Sequence, residues 1–214
     1  MKRFAFGIDK YQAEWIFAPI RSRQDALVIL LKVVKILLIN QPPAIEQTAG
    51  QIVLAVSKMS RIFFVSDAKV YSLTFPFFVT EKDGVFSFKS HSHSSIDHRV
   101  TSDLLALLEA PRVFSSNEVL EFAESVDDIA QFDSQIWALF RDLLVSEEGY
   151  IRYDYDEEHE NGHYHPINHF DVFFSNSSTF KLGLHSRTDI DAFIDLLDSN
   201  TECHYVSVSH KTGR

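Results

Sequence analysis

Apolar residues run almost unbroken from Ala26 to Ile39, interrupted only by Lys32 and Lys35. Ser22 stands ahead of this run as a capping residue, and Pro42-Pro43 forbids its continuation, so the pattern predicts a helix from Ser22 to Asn40. Residues 1–20 mix aromatic and polar positions without a clear period and read as a short helix or strand with loops. Beyond Pro43, the positions Ile45, Ala49, Ile52, Val56, Met59 and Phe63 recur at helical spacing and predict a second helix. From Arg61 the pattern turns to short β-branched and aromatic runs, Ile62–Ser66, Val70–Thr80 and Val85–Ser90. The last two flank Glu81-Lys82-Asp83-Gly84, a hairpin turn with Gly at a positive-φ position. Pro76 within the middle run marks an edge strand or a bulge.

Helical spacing returns near residues 101–109, 116–125 and 128–147. In the last of these, Ile129, Phe132, Ile136, Leu139, Phe140 and Leu143 share one side. Strand patterns follow at 150–156, 165–175 and 179–184, with Asn176-Ser177-Ser178 as a tight turn. Thr188 caps a final helix over 189–197, and 204–209 reads as a closing strand. These elements predict an α+β fold, with helices packed on an antiparallel sheet and a C-terminal β-meander. Its 214 residues suit one domain, within which 1–110 and 111–214 are the possible lobes.

Side chains alternate across a strand, so each C-terminal strand divides into two faces. Ile151, Tyr153 and Tyr155 oppose Arg152, Asp154 and Asp156. Phe170, Val172 and Phe174 oppose His165, His169 and Asp171. Phe180, Leu182 and Leu184 oppose Lys181 and Gly183. If the strands pair as a meander, the apolar sides meet the helices and the polar residues share one surface. Imidazoles and carboxylates together are ligands for a divalent metal, here His165, His169 and Asp171. Asp154 and Asp156 extend that set, and Lys181 is placed to stabilise developing charge. The loop between the first two strands adds Glu157, Glu158, His159 and His163. Such a site suits metal-assisted hydrolysis of a phosphoester by a nuclease or phosphoesterase. A solvated face of an antiparallel sheet shows the same alternation, so the pattern fits that reading as well.

Composition narrows the partners. The formal net charge of −10 does not favour nucleic acid, which is held by Lys and Arg. The 19 phenylalanines carry large apolar area without a polar handle, which fits a dense core and also a surface for a protein partner or a second copy. A single cysteine, Cys203, excludes an internal disulfide and points to a reducing, cytoplasmic setting. No signal peptide or membrane span is expected, because the Ala26–Ile39 run is too short for a bilayer and carries two lysines. The seven glycines are not clustered, which argues against a Gly-rich phosphate loop.

Arg152-Tyr-Asp-Tyr-Asp156, the acidic loop after it, His165-Pro-Ile-Asn-His169 and Phe180-Lys-Leu-Gly-Leu184 resemble the C-terminal signature of an uncharacterised bacterial family, a domain of unknown function. The resemblance covers roughly the last third of the chain. It implies no activity, only a bacterial setting in mobile elements or phage defence. Two functional expectations follow. One is a non-catalytic accessory or partner-binding subunit of a bacterial defence or toxin–antitoxin type system. The other is a metal-dependent hydrolase using the His/Asp face.

Overall fold

A computed structural model describes residues 1–67, 69–110, 135–174, 179–202 and 204. In chain order the described elements begin with β1 (Lys2–Asp9), α1 (Lys10–Ile16), α2 (Arg23–Ile39) and β2 (Thr48–Val56). Next come β3 (Arg61–Val65), β4 (Lys69–Thr74), β5 (Phe78–Lys82), β6 (Val85–Lys89) and α3 (His98–Glu109). The C-terminal part holds α4 (Ile136–Val145), β7 (Ile151–Tyr155), β8 (Asn168–Val172), β9 (Phe180–Gly183) and α5 (Ile190–Leu196). The fold is α+β: seven strands form an antiparallel sheet in the order β1-β2-β3-β4-β7-β8-β9, and β5-β6 is a separate hairpin. Residues 1–110 and 111–214 thus contribute to one sheet.

α2 forms where the capping residues predict. The Ser22 hydroxyl accepts from the Asp25 N–H at 3.1 Å, and the Asp25 carboxylate accepts from the Ser22 N–H at 3.0 Å. This reciprocal box satisfies two of the helix's otherwise unpaired donors. Asn40, at φ 47°, closes the other end in a left-handed conformation that Asn tolerates. Leu30, Leu31, Val34 and Leu37 are buried against α3 and the sheet. No helix among the described residues is long and apolar enough to cross a membrane.

The helix expected over 43–63 does not form. A short 3-10 turn at Ile45–Gln47 leads instead into β2, which pairs with β1 on one side and β3 on the other. Ile52 and Leu54 face α2, while Val53 and Ala55 face α5. A strand buried on both faces is continuously apolar, and such a run matches helical spacing by accident. Gly50 belongs to that strand for a packing reason, since a Cβ there would lie 2.8 Å from the Val65 carbonyl oxygen.

The run Val70–Thr80 is two strands, not one. Pro76 falls between them, where the chain leaves the large sheet to form the β5-β6 hairpin. The hairpin turns through Asp83 at φ 52° and Gly84 at φ 78°, the two positive values a tight two-residue turn requires. It packs Phe86 edge-on against Phe4 and Phe6, with ring centroids 5.0 and 5.1 Å apart.

At the C-terminal end, α4 buries Ile136, Leu139, Phe140 and Leu143 as its spacing predicts. Ile129, Phe132, the 116–125 helix, the turn at 176–178, Cys203 and most of the 204–209 strand lie outside the described residues. The last helix is capped by Asp189, whose carboxylate accepts from the Ala192 N–H at 2.8 Å, and not by Thr188.

The strand register settles the two faces of the sheet. Phe6, Ile52, Leu54, Ile62, Phe64, Tyr71 and Leu73 lie on the face covered by α2 and α3. The same face continues through Arg152, Asp154, His169, Asp171 and Lys181. On the opposite face Tyr153 and Phe170 join Phe63 beneath Phe193 and Ile194 of α5. The expected apolar side of the meander is therefore only partly covered. Phe180 and Leu182 remain 48% and 38% exposed.

Candidate functional site

Register brings the polar residues of β7, β8 and β9 into one row. Asp154 pairs with His169 across β7-β8, and Arg152 with Asp171. Asp171 in turn stands opposite Lys181 on β9. On the other side of β7, Lys69 of β4 is the cross-strand partner of Asp154. Four of the six candidate residues, Asp154, His169, Asp171 and Lys181, thus converge with Arg152 and Lys69.

Hydrogen bonds join all of these but Lys69 into a network. The Nδ1–H of His169 donates to the Pro166 carbonyl at 2.8 Å, because that oxygen can only accept. Nε2 is left as the acceptor and faces the Lys181 ammonium at 2.9 Å. The same ammonium donates to Asp171 Oδ1 at 2.8 Å. Arg152 donates through Nε to Asp154 at 2.7 Å and through Nη2 to Asp171, bridging two strands. Its Nη1 reaches the Tyr150 hydroxyl at 3.4 Å.

The site is not the solvated sheet face that alternation alone allows. His169 is fully buried and Asp171 nearly so, while the side chains of Arg152 and Lys181 keep 26% and 31% of their exposure. Burial alone lowers the pKa of Arg152, but Tyr150, Asp154 and Asp171 outweigh it and hold the guanidinium above its ordinary value. Burial raises the Tyr150 phenol, with Arg152 opposing. Lys69 behaves differently. Burial and then the charge of Arg152 lower its pKa despite Asp154 and Asp171.

His169 Nε2 lies 3.7 Å from Asp154 Oδ2 and 3.8 Å from Asp171 Oδ1, and ligand-capable atoms of the three residues fall within 4.8 Å of one another. They are the one such group among the described residues. The expected ligand His165 is not part of it. His165 precedes β8, in a loop closed by a bridge to Asn161, so strand alternation does not place it. Its ring sits edge-on to His169 with centroids 4.7 Å apart, and its Nδ1 is buried without a hydrogen-bond partner among the described residues.

Asp156 is not part of the group either. It lies just past β7 and accepts from the backbone N–H and ring Nδ1 of His159, at 3.1 and 3.0 Å. The backbone bond is the main reason its pKa falls below the ordinary carboxylate value. In the same loop Glu157, Glu158, His159 and His163 are exposed. Phe174 turns away from the face of Phe170 and Val172. Phe173, a non-glycine residue at φ 67°, breaks the alternation, so Phe174 packs on Tyr150 at 5.8 Å.

Lys69 was not legible as a site residue. It starts a strand some eighty positions before β7, and only the β4-β7 pairing reveals its place.

A second feature adjoins the network. β9 is the last strand of the sheet and pairs with β8 alone among the described residues. All four of its residues are exposed. Phe173 and Phe180 lie 6.1 Å apart and are 51% and 48% exposed, with Leu182 on the same strand. Comparison with protein-family models, curated proteins and solved structures finds no match to this chain.

Proposed function

We propose that the protein is a non-catalytic, partner-binding subunit that takes an extended segment of another polypeptide along β9. The observation that carries this reading is β9, an exposed edge strand among the described residues that carries Phe180 and Leu182. An unpaired edge offers backbone donors and acceptors, and alternate side chains offer apolar contact, the two elements of strand addition. Charge selects the occupant. Residues 179–187 contain Lys181, His185 and Arg187 and no carboxylate, within a chain of net charge −10. An acidic extended segment with alternating apolar residues complements that edge. The cytoplasm is the proposed location, from the single cysteine. A bacterial defence or toxin–antitoxin type system is the proposed setting, from the resemblance of the last third alone.

The test compares the wild type with a Phe180→Lys/Leu182→Lys double variant by native mass and amide hydrogen exchange. The reading expects the wild type to carry one polypeptide at fixed stoichiometry, with β9 amides protected in that complex and both features lost in the variant. A mass of twice the 24.6 kDa chain, also lost in the variant, would identify a second copy as the occupant. A wild type that is monomeric in every fraction, with freely exchanging β9 amides, would remove the docking reading.

A second reading, the metal-dependent hydrolase, draws on the juxtaposition of Asp154, His169 and Asp171. Lys181 weighs against it, since its ammonium already contacts two of these three residues. Metal content after untagged purification tests it. One bound divalent ion per chain, lost on His169→Ala, is the expected result if this reading holds.

A further inference from the structure

The network carries more positive than negative charge. Lys69, Arg152 and Lys181 surround Asp154 and Asp171, and His169 accepts a hydrogen bond at Nε2 as a neutral ring would. The carboxylates are committed elsewhere. Arg152 bonds both, and Lys181 bonds Asp171. Lys69 has no carboxylate oxygen within ion-pair distance among the described residues, and the one hydrogen bond its ammonium makes there is to the Phe17 carbonyl at 3.3 Å. A half-buried ammonium of this kind is poorly compensated, which fits the direction of its pKa.

We propose that this end of the sheet binds a phosphate group, with Lys69, Arg152 and Lys181 as the cations that hold it. A divalent metal would add charge to a cluster that already has an excess of one cation over its carboxylates, and would compete with the Lys181 ammonium for His169 and Asp171. An anion meets neither obstacle. Lys69 has ammonium protons beyond the one given to Phe17. The side chains of Arg152 and Lys181 keep 26% and 31% of their exposure, more than the 17% of Asp154 and 10% of Asp171. Arginine and lysine together are suited to phosphate, the first as a planar fork and the second as a point charge. This site shares Lys181 with the docking edge, but phosphate binding through Lys69 and Arg152 does not depend on docking.

The experiment titrates the purified full chain with inorganic phosphate, and separately with a nucleoside monophosphate, by calorimetry. The 15N shift of the Lys69 side chain is followed in parallel. One saturable equivalent is expected, with the Lys69 pKa rising as phosphate binds. Lys69→Met should weaken association about tenfold or more, while its thermal midpoint stays at or above that of the wild type, because an under-compensated cation has been removed. Lys69→Arg should keep binding. Nucleotide binding at least about tenfold tighter than phosphate would assign the group to a nucleotide, and equal affinity would assign it to free phosphate. Absence of saturable binding by either probe, or unchanged binding in Lys69→Met, would overturn the proposal. So would zinc binding at one equivalent without phosphate binding.

Discussion

One face of the seven-stranded sheet has two halves. Over β1–β3 it is apolar, with Ile52, Leu54, Ile62 and Phe64 fully buried beneath α2 and α3. Over β7–β9 the same face carries Arg152, Asp154, His169, Asp171 and Lys181, joined by hydrogen bonds. Tyr71 marks the seam. Its ring stacks on Phe64 at 4.5 Å and lies 5.9 Å from Tyr150, whose hydroxyl meets Arg152. The first half is stabilised by removal of apolar area from water, which needs no particular geometry. The second must satisfy every charge it desolvates, so its contribution depends on geometry and is easily reversed.

The apolar half should suffer the largest loss from a single truncation. Leu31→Ala or Leu37→Ala, at fully buried positions of α2, should cost about 2–5 kcal/mol in urea unfolding. Full tolerance of both would mean that α2 does not anchor the core. In the polar half, Asp171→Ala strips Arg152 and Lys181 of a shared partner. Both cations keep access to water, so the expected cost is smaller, about 1–3 kcal/mol. A double cycle with Lys181→Met should recover part of that loss, and strict additivity would break the network account.

At the seam, Gly149→Ala should cost about 1–2 kcal/mol. Its φ is 54°, and an added Cβ would lie 2.5 Å from Thr74 Oγ1. Tyr71→Phe should cost about 0.5–1.5 kcal/mol, through loss of the 2.6 Å bond to the Ile16 carbonyl. Both are measured by denaturant midpoint.

The smallest effect separates the halves by pH. Burial lowers the Lys69 pKa below the ordinary lysine value, so the unfolded chain binds that proton more tightly. Stability contributed through this group therefore rises as pH climbs from the lowered folded value toward the unfolded one. Urea midpoints followed as pH rises toward 10.5 should show a flatter rise in Lys69→Met than in the wild type. An identical slope would mean that Lys69 is not the strained cation of the polar half.

Much of this was legible in local chemistry. Ser22 and Asp25 start α2, Asp83-Gly84 turns the β5-β6 hairpin, and period-two alternation placed Asp154, His169, Asp171 and Lys181 on one face. The alternation applies only within the strands. His165 and Asp156 lie outside the strands, and Phe173 reverses the backbone before Phe174. The run around Ile52 misled because burial on both faces removes the polar positions that distinguish a strand from a helix.

The sequence by itself determined which residues start, turn and end these elements and which side of each C-terminal strand is polar, because caps, turns and alternation act between residues close in the chain. Only the tertiary structure decided that this polar side is the continuation of the main core face, that Lys69 joins it, and that His169 is buried rather than solvated. Those outcomes depend on strand order and register, which pair β4 with β7 across a long intervening stretch of chain. Residue types near one another in sequence do not encode which distant strand will become a neighbour.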